Sequence, residues 1–236
     1  MNILAIDASG IAGSIAYMKD NRLIGEYYIC HKLTHSETIM PMMEHMKQLI
    51  GLNLEEVDAI AVTSGPGSFT GLRIGVTTAK ALALALDKPV IGVPTLDVIA
   101  HNIVCTSSKI CPIMDARRNQ VYTACYKWEG KELLRLTEYR AIDIDDYLRE
   151  LAASHENIIF LGDGVWQYKD KIKAYLAEKV EFVPSYLELQ RAGTLAEIAS
   201  KEYEKGNVFS ASQFVPMYLR KSQAEREREA KEKGDY

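Results

Sequence analysis

Cysteine is sparse in this 236-residue chain and never closely paired. The four thiols stand at 30, 105, 111 and 125, with no C-x-x-C unit and no surrounding histidine pattern. That spacing argues against zinc and a disulfide scaffold and for reduced, mostly buried thiols. No uninterrupted apolar run reaches about 18 residues, so no membrane span is expected. Basic excess is missing too: 28 Lys and Arg face 32 Asp and Glu, a net charge of −4. A chain with that balance does not hold a phosphate backbone alone, and RNA contact is expected only alongside a partner. The first residues, Met1-Asn-Ile-Leu-Ala-Ile-Asp7, carry no basic leader and their apolar run stops at an acid, which points to the cytoplasm. With 47% hydrophobic and 25% charged residues, the chain has enough apolar content for one large domain or two smaller lobes.

The most informative stretch that is present runs from Ser64 to Ala79, Ser-Gly-Pro-Gly-Ser-Phe-Thr-Gly-Leu-Arg-Ile-Gly-Val-Thr-Thr-Ala. Gly65-Pro66-Gly67 forces a tight turn, because Pro fixes φ and Gly opens conformations closed to other residues. A helix-length segment follows and ends near Leu86. Within it Gly71, Gly75 and Ala79 recur every fourth residue, which on a helix makes one stripe almost without side chains. Two glycines inside a helix cost about 1 kcal/mol each relative to alanine. Such a stripe calls for another backbone close by, either the chain's own sheet or a helix of a second chain. Met40, Met42, Met43 and Met46 place half of the eight methionines within seven residues, a composition that suits core gaps or an adaptable partner surface.

Around this run the order of elements predicts a duplicated α/β lobe. Short strands at 2–7, 13–18 and 23–29 precede a helix that Thr34 or Ser36 caps and that runs to about Ile50, with Pro41 expected to kink it. A strand at 59–62, the glycine turn, a helix over 72–86 and a strand at 89–93 form a unit whose two strands lie parallel. A helix from Thr95 to about Val104 follows. The pattern then restarts with Ile110-Cys-Pro-Ile-Met-Asp115, an apolar strand ended by Asp as at Asp7, a polar turn, strands at 121–126 and 133–139, a helix at 144–151 and a strand ending at Gly162-Asp-Gly164. The boundary is placed between 105 and 106, giving lobes 1–105 and 106–236. The tail from Arg220 mixes charges densely and reads as a solvated helix or frayed end.

Chemistry-bearing candidates are few. Asp7 and Ser9 sit at a strand end, where ligands of α/β sheets bind; they suit an Asx turn that satisfies its own backbone, ahead of the alternative of a metal-bound phosphate. Asp115 is open to the same two readings. The glycine run fits neither G-x-x-x-x-G-K-[ST] nor G-x-G-x-x-G, and Pro66 removes a donor that an anion would use. The G-x-S-x-G elbow is absent. His31 and His35 are four apart, but Lys32 stands where zinc hydrolases carry Glu.

Ile6-Asp7-Ala-Ser9, His35-Ser36-Glu37 ahead of Pro41, Gly65-Pro-Gly-Ser-Phe-Thr-Gly-Leu-Arg-Ile-Gly75 followed by Ala79-Lys80, Asp115-Ala-Arg117 with Val121-Tyr122, and Pro216-Met-Tyr-Leu-Arg220 stand in the order found in the bacterial TsaB (YeaZ) family. The chain resembles that family over nearly its whole length. The resemblance implies an actin-like, two-lobed ATPase fold and a part in making N6-threonylcarbamoyladenosine at position 37 of ANN-decoding tRNAs. It further implies a non-catalytic subunit that partners a TsaD-type transferase and a TsaE-type ATPase, pairs with itself when alone, and meets tRNA only within the complex. Matched by element order, the transferase's two metal-binding histidines fall here at about Thr95 and Ile99, neither of which ligates iron or zinc as histidine does. Helices of the first lobe are the family's pairing surface, which assigns Met40, Met43, Met46, Gly71, Leu72, Gly75 and Ala79 to a partner interface. Asp7 and Ser9 are the nucleotide-proximal candidates. No tightly bound cofactor and no metal are expected, with ATP or ADP and Mg as a weak ligand. An autonomous actin-fold small-molecule kinase and a metallopeptidase are the competing readings.

Overall fold

The computed structural model describes residues 1–31 and 33–220. The charged tail beyond Arg220, expected as a solvated helix or frayed end, lies outside them. The first sheet opens with a meander of β1 (Asn2–Asp7), β2 (Gly13–Lys19) and β3 (Arg22–Ile29). Asp20 and Asn21 turn the β2–β3 hairpin with φ of 50° and 59°, the left-handed pair that matches strand twist. Helix α1 (His35–Ile50) starts where Glu37 reaches back to the Thr34 N–H and hydroxyl. It runs on through Pro41 as one helix, and both Pro41 and Glu37, whose carbonyl loses its amide partner, lie on the exposed side.

Strand β4 (Ala59–Gly65) pairs parallel with β1, helix α2 (Phe69–Leu86) crosses over, and β5 (Val90–Pro94) pairs parallel with β4. Helix α2 begins three residues earlier than its sequence pattern suggests, because the Ser68 hydroxyl accepts the Gly71 N–H and starts the helix there. It is long and apolar enough to cross a membrane by length and composition. Its Gly71, Leu72, Gly75, Val76, Ala79 and Ala83 are nevertheless buried against the chain's own sheet. Helix α3 (Thr95–Ala100) is shorter than expected and stops at His101.

The second sheet comprises β6 (Lys109–Asp115), β7 (Gln120–Thr123), β10 (Arg140–Asp143), β11 (Ile158–Leu161) and β12 (Val180–Phe182), with β8 (Tyr126–Glu129) and β9 (Glu132–Arg135) as a hairpin beside β6. Helices α4 (Ile144–Ala152) and α5 (Gly164–Leu176) cover it. Strand order is β3-β2-β1-β4-β5 in the first sheet and β10-β7-β6-β11-β12 in the second. These are the same permutation, third-second-first-fourth-fifth, once the β8–β9 hairpin is set aside. The fold is therefore the duplicated, two-lobed α/β architecture of actin-like proteins. The third strand of the second lobe is β10 and not the 133–139 segment, because β9 turns back on β8.

Alternation along β1 sends Leu4 and Ile6 to a core with α1 and α2, and Ile3 and Ala5 to the opposite face. That opposite face is covered by helix α6 (Ala192–Glu204), whose Ala192, Ala196 and Ala199 lie against Ala5, Ala16 and Ala61. So α6 belongs to the first lobe by packing, although the division at 105 and 106 assigns it to the second. Phe214 likewise inserts into the first core, and Arg191 and Glu26 form an ion pair tying the start of α6 to β3. Helix α3 lies between the lobes, with Val98 in the first sheet's core and Leu96 and Ile99 in the second's.

Candidate functional site: an inter-lobe cleft and an outer helical face

At the end of β1 the Asp7 carboxylate accepts the Ser9 N–H at 2.8 Å and the Ser9 hydroxyl at 2.9 Å, both through Oδ1. This is the self-satisfying turn, one of the two sequence readings. The glycine turn then lids it: Ser68 N–H donates to the Ser9 carbonyl at 2.7 Å, and a Cβ on Gly67 would overlap that carbonyl. Burial pushes Asp7 up to about 6, against the lowering effect of the Ser9 hydrogen bonds. Its Oδ2 makes no hydrogen bond of normal geometry, although Thr63 and Gln190 stand close enough to lower the pKa. Both residues are fully buried and neither lines the cleft. Asp7 and Ser9, the nucleotide-proximal candidates, thus lie just beneath the cleft beside its lining residues Gly10 and Ile11, with the Ser9 donors spent on the turn itself.

A cleft of about 680 Å³ separates the lobes. Pro66–Thr70 form one wall, Asp115–Arg117 and Asp163 another, and the 217–220 segment closes it. Asp163 Oδ1 accepts the Asp115 N–H at 3.0 Å, and Asp115 Oδ1 accepts the Arg117 N–H at 2.8 Å. Burial pushes Asp163 up to about 6, opposed by the Asp115 hydrogen bond. Arg117, Arg118 and Asn119 run consecutively with φ of 63°, 56° and 58°. Left-handed backbone costs roughly 1–2 kcal/mol for a residue with a Cβ. Bonds from Asn119 Nδ2 to Asp143 and Asp145 help hold the turn, which brings Arg117 to the cleft wall.

The closing strap is a feature that sequence reading used only as a motif. Met217 N–H donates to Ser64 O at 2.7 Å, Lys80 Nζ to Phe214 O at 2.9 Å, and Arg220 to Ala116 O at 2.7 Å, so the strap joins both lobes. Tyr218 lies against Phe69 in a tilted pair with centroids 5.0 Å apart, and the Arg73 guanidinium covers Phe69 at 4.0 Å. Trp166, exposed at the cleft, was not singled out from sequence either; lone aromatics on an unassigned helix give no signal.

The small-residue stripe faces inward. A Cβ at Gly71 would overlap the Ala8 carbonyl oxygen, and one at Gly75 would sit 3.3 Å from the Ala8 methyl. Ala79, Leu72, Met43 and Met46 are likewise buried in this chain's own core. Those six interface assignments are corrected, since the close neighbour is the β1 turn of the same chain. Met40 alone of the seven is exposed, at 51%. The outward side of the same helices carries a groove of about 390 Å³ lined by His35, Ser36, Ile39, Met40, Arg73, Ile74, Thr77 and Thr78. Sequence pattern held a usable signal for it, because Arg73, Thr77 and Leu84 fall on the side of α2 opposite the stripe.

His31 lies outside α1 and His35 Nε2 is 2.8 Å from Gly10 O, so the two imidazoles do not share a helix face. Among the described residues no group of three His, Cys, Asp or Glu could hold a metal ion. Thr95 and Ile99 are both fully buried on α3, the helix after β5.

A family model of the tRNA N6-adenosine threonylcarbamoyltransferase TsaD matches residues 31–228. The tRNA threonylcarbamoyladenosine biosynthesis protein TsaB of Bacillus subtilis strain 168 is 35% identical over 95% of this chain and 96% of its own. The TsaB of Escherichia coli K12 is 28% identical, again over 95% and 96%. A crystal structure of a Pseudomonas aeruginosa protein described as similar to peptidase YeaZ superposes with a TM-score of 0.78 at 27% identity, covering 93% of this chain and 99% of that one. Two TsaB proteins aligned over 95% of this chain, on a backbone that superposes on a YeaZ-like structure, leave one conclusion: this chain belongs to the TsaB (YeaZ) family of tRNA threonylcarbamoyladenosine biosynthesis proteins.

Proposed function

We propose that this chain is a non-catalytic subunit for N6-threonylcarbamoyladenosine formation at position 37 of ANN-decoding tRNAs, acting in the cytoplasm with a TsaD-type transferase and a TsaE-type ATPase. The observation that carries the reading is α3. By order of elements, the resemblance puts the transferase's two metal-binding histidines at about Thr95 and Ile99, both fully buried here and neither able to ligate as histidine does. The partner surface in this reading is the outward face of α1 and α2 around Met40, Ile74 and Thr77, and a second copy occupies it when the chain is alone. Transfer RNA is met within the complex, in keeping with the acidic net charge.

The deciding experiment is reconstitution of the tRNA modification from purified components with and without this chain. Modification is expected to depend on the chain and to fail with Met40→Glu plus Ile74→Arg. Full modification without the chain, or threonylcarbamoyl transfer by the chain alone, would overturn the proposal. An independent small-molecule kinase is the second reading. It draws on Asp163, whose pKa near 6 suits a proton acceptor, facing a sizeable cleft. ATP turnover by the purified chain with a small hydroxylated substrate would select it.

A further inference from the structure

We propose that Cys111 and Cys125 form an oxidisable dithiol in the second lobe, a modification site that takes hydrogen peroxide and closes to an intramolecular disulfide. The two Sγ atoms lie 3.4 Å apart inside the core that β6 and β7 share with α4 and α5. The register that pairs Ile113 with Thr123 and Ile110 with Tyr126 sets Cys111 directly across from Cys125. Cys125 donates its N–H to Thr137 Oγ1 at 2.9 Å, and its carbonyl accepts the Leu136 N–H at 2.7 Å. Its backbone polar groups therefore point away from β6, so the cysteines form a non-hydrogen-bonded cross-strand pair. Such pairs hold their Cα atoms about 4.5 Å apart, within the range a disulfide spans.

The surroundings divide the labour between the two sulfurs. A hydrogen bond from the Cys111 thiol outweighs burial and, with the Tyr147 hydroxyl at 3.3 Å and the positive charges of Arg140 and Lys109, favours a thiolate at Cys125. The neighbouring thiolate and burial together push Cys111 well above the usual thiol range, so it keeps its proton. Cys125 attacks one peroxide oxygen: an S–O bond forms, the O–O bond breaks, and the departing hydroxide leaves as water after taking a proton from solvent. Cys111 sulfur then attacks the Cys125 sulfenic sulfur. The S–S bond forms, the S–O bond breaks, and the leaving hydroxide takes the Cys111 proton as a second water. Two thiols lose two electrons and one peroxide gains them. The product bond would tether β6, whose last residue Asp115 walls the cleft, to the start of the β8–β9 hairpin. Nothing in this inference depends on the subunit role.

The test treats the full-length chain with one to a few equivalents of hydrogen peroxide, then alkylates under denaturing conditions for intact mass and non-reduced peptide mapping. The expected result is a loss of about 2 Da, two of the four thiols protected, and a Cys111–Cys125 peptide that dithiothreitol releases. Cys30 and Cys105 are exposed, so the Cys30→Ser/Cys105→Ser chain leaves the core untouched and should give the same bridge. In Cys111→Ser, a sulfenate-trapping dione should label Cys125. Four free thiols after treatment, a bridge to Cys30 or Cys105, or over-oxidised Cys125 without a bridge would each overturn the proposal.

Discussion

At the scale of single residues, two buried carboxyls dominate the pH behaviour. Asp7 and Asp163 both titrate near 6 in the fold, against 3.8 for an ordinary aspartate. Between those values the native state keeps a proton that the unfolded chain has released, so stability falls as pH rises through that window and the loss is complete above it. Two units correspond to about 3 kcal/mol per group. Urea unfolding of wild type and Asp7→Asn at pH 4 and pH 7 should show the variant losing about 2 kcal/mol less, since pH 4 already lies above the unfolded value; parallel profiles would refute the assignment. A second residue-scale test uses the glycines. Gly71→Ala forces a methyl into the Ala8 carbonyl and should cost about 3 kcal/mol or more. Gly75→Ala meets the Ala8 methyl at 3.3 Å and Ala8 N and Val62 at ordinary contact distance, and helix propensity returns about 1 kcal/mol, so its chemical midpoint should barely move.

At the scale of elements, the question is which side of α1 and α2 is free. Met40→Glu and Ile74→Arg each place a charge at the outer groove and should weaken self-association, or binding to a transferase partner, tenfold or more, while the urea midpoint stays put. Sedimentation and pull-down read the first, and unaltered association would remove the groove from consideration. Much of this level was legible in advance. The Asp20-Asn21 turn, the parallel β4–α2–β5 unit and the glycine turn all announce themselves through residues with narrow backbone preferences. The direction of the glycine stripe did not. A side-chain-poor face is required equally by a strand turn of the same chain and by a helix of another, and only the Ala8 contact decides between them. Helix α3 divides its residues between two cores, a placement its own pattern could not announce.

At the scale of the whole molecule, the duplication could be read from element order, because each half repeats strands ended by Asp7 and Asp115. The return of the chain to the first lobe could not. Residues 192–217 cover the back of the first sheet with alanines and fill its front with Phe214, and neither composition names its distant neighbour. This return bears on how the protein is made. The opening strands are made long before Ala192–Glu204, so one face of the first sheet stays bare until that distant helix has been synthesised. Expressed alone, residues 1–105 should aggregate or fail to show a cooperative melt, and adding a peptide spanning 190–220 should rescue them; a soluble, cooperatively melting fragment would show that the covering is dispensable.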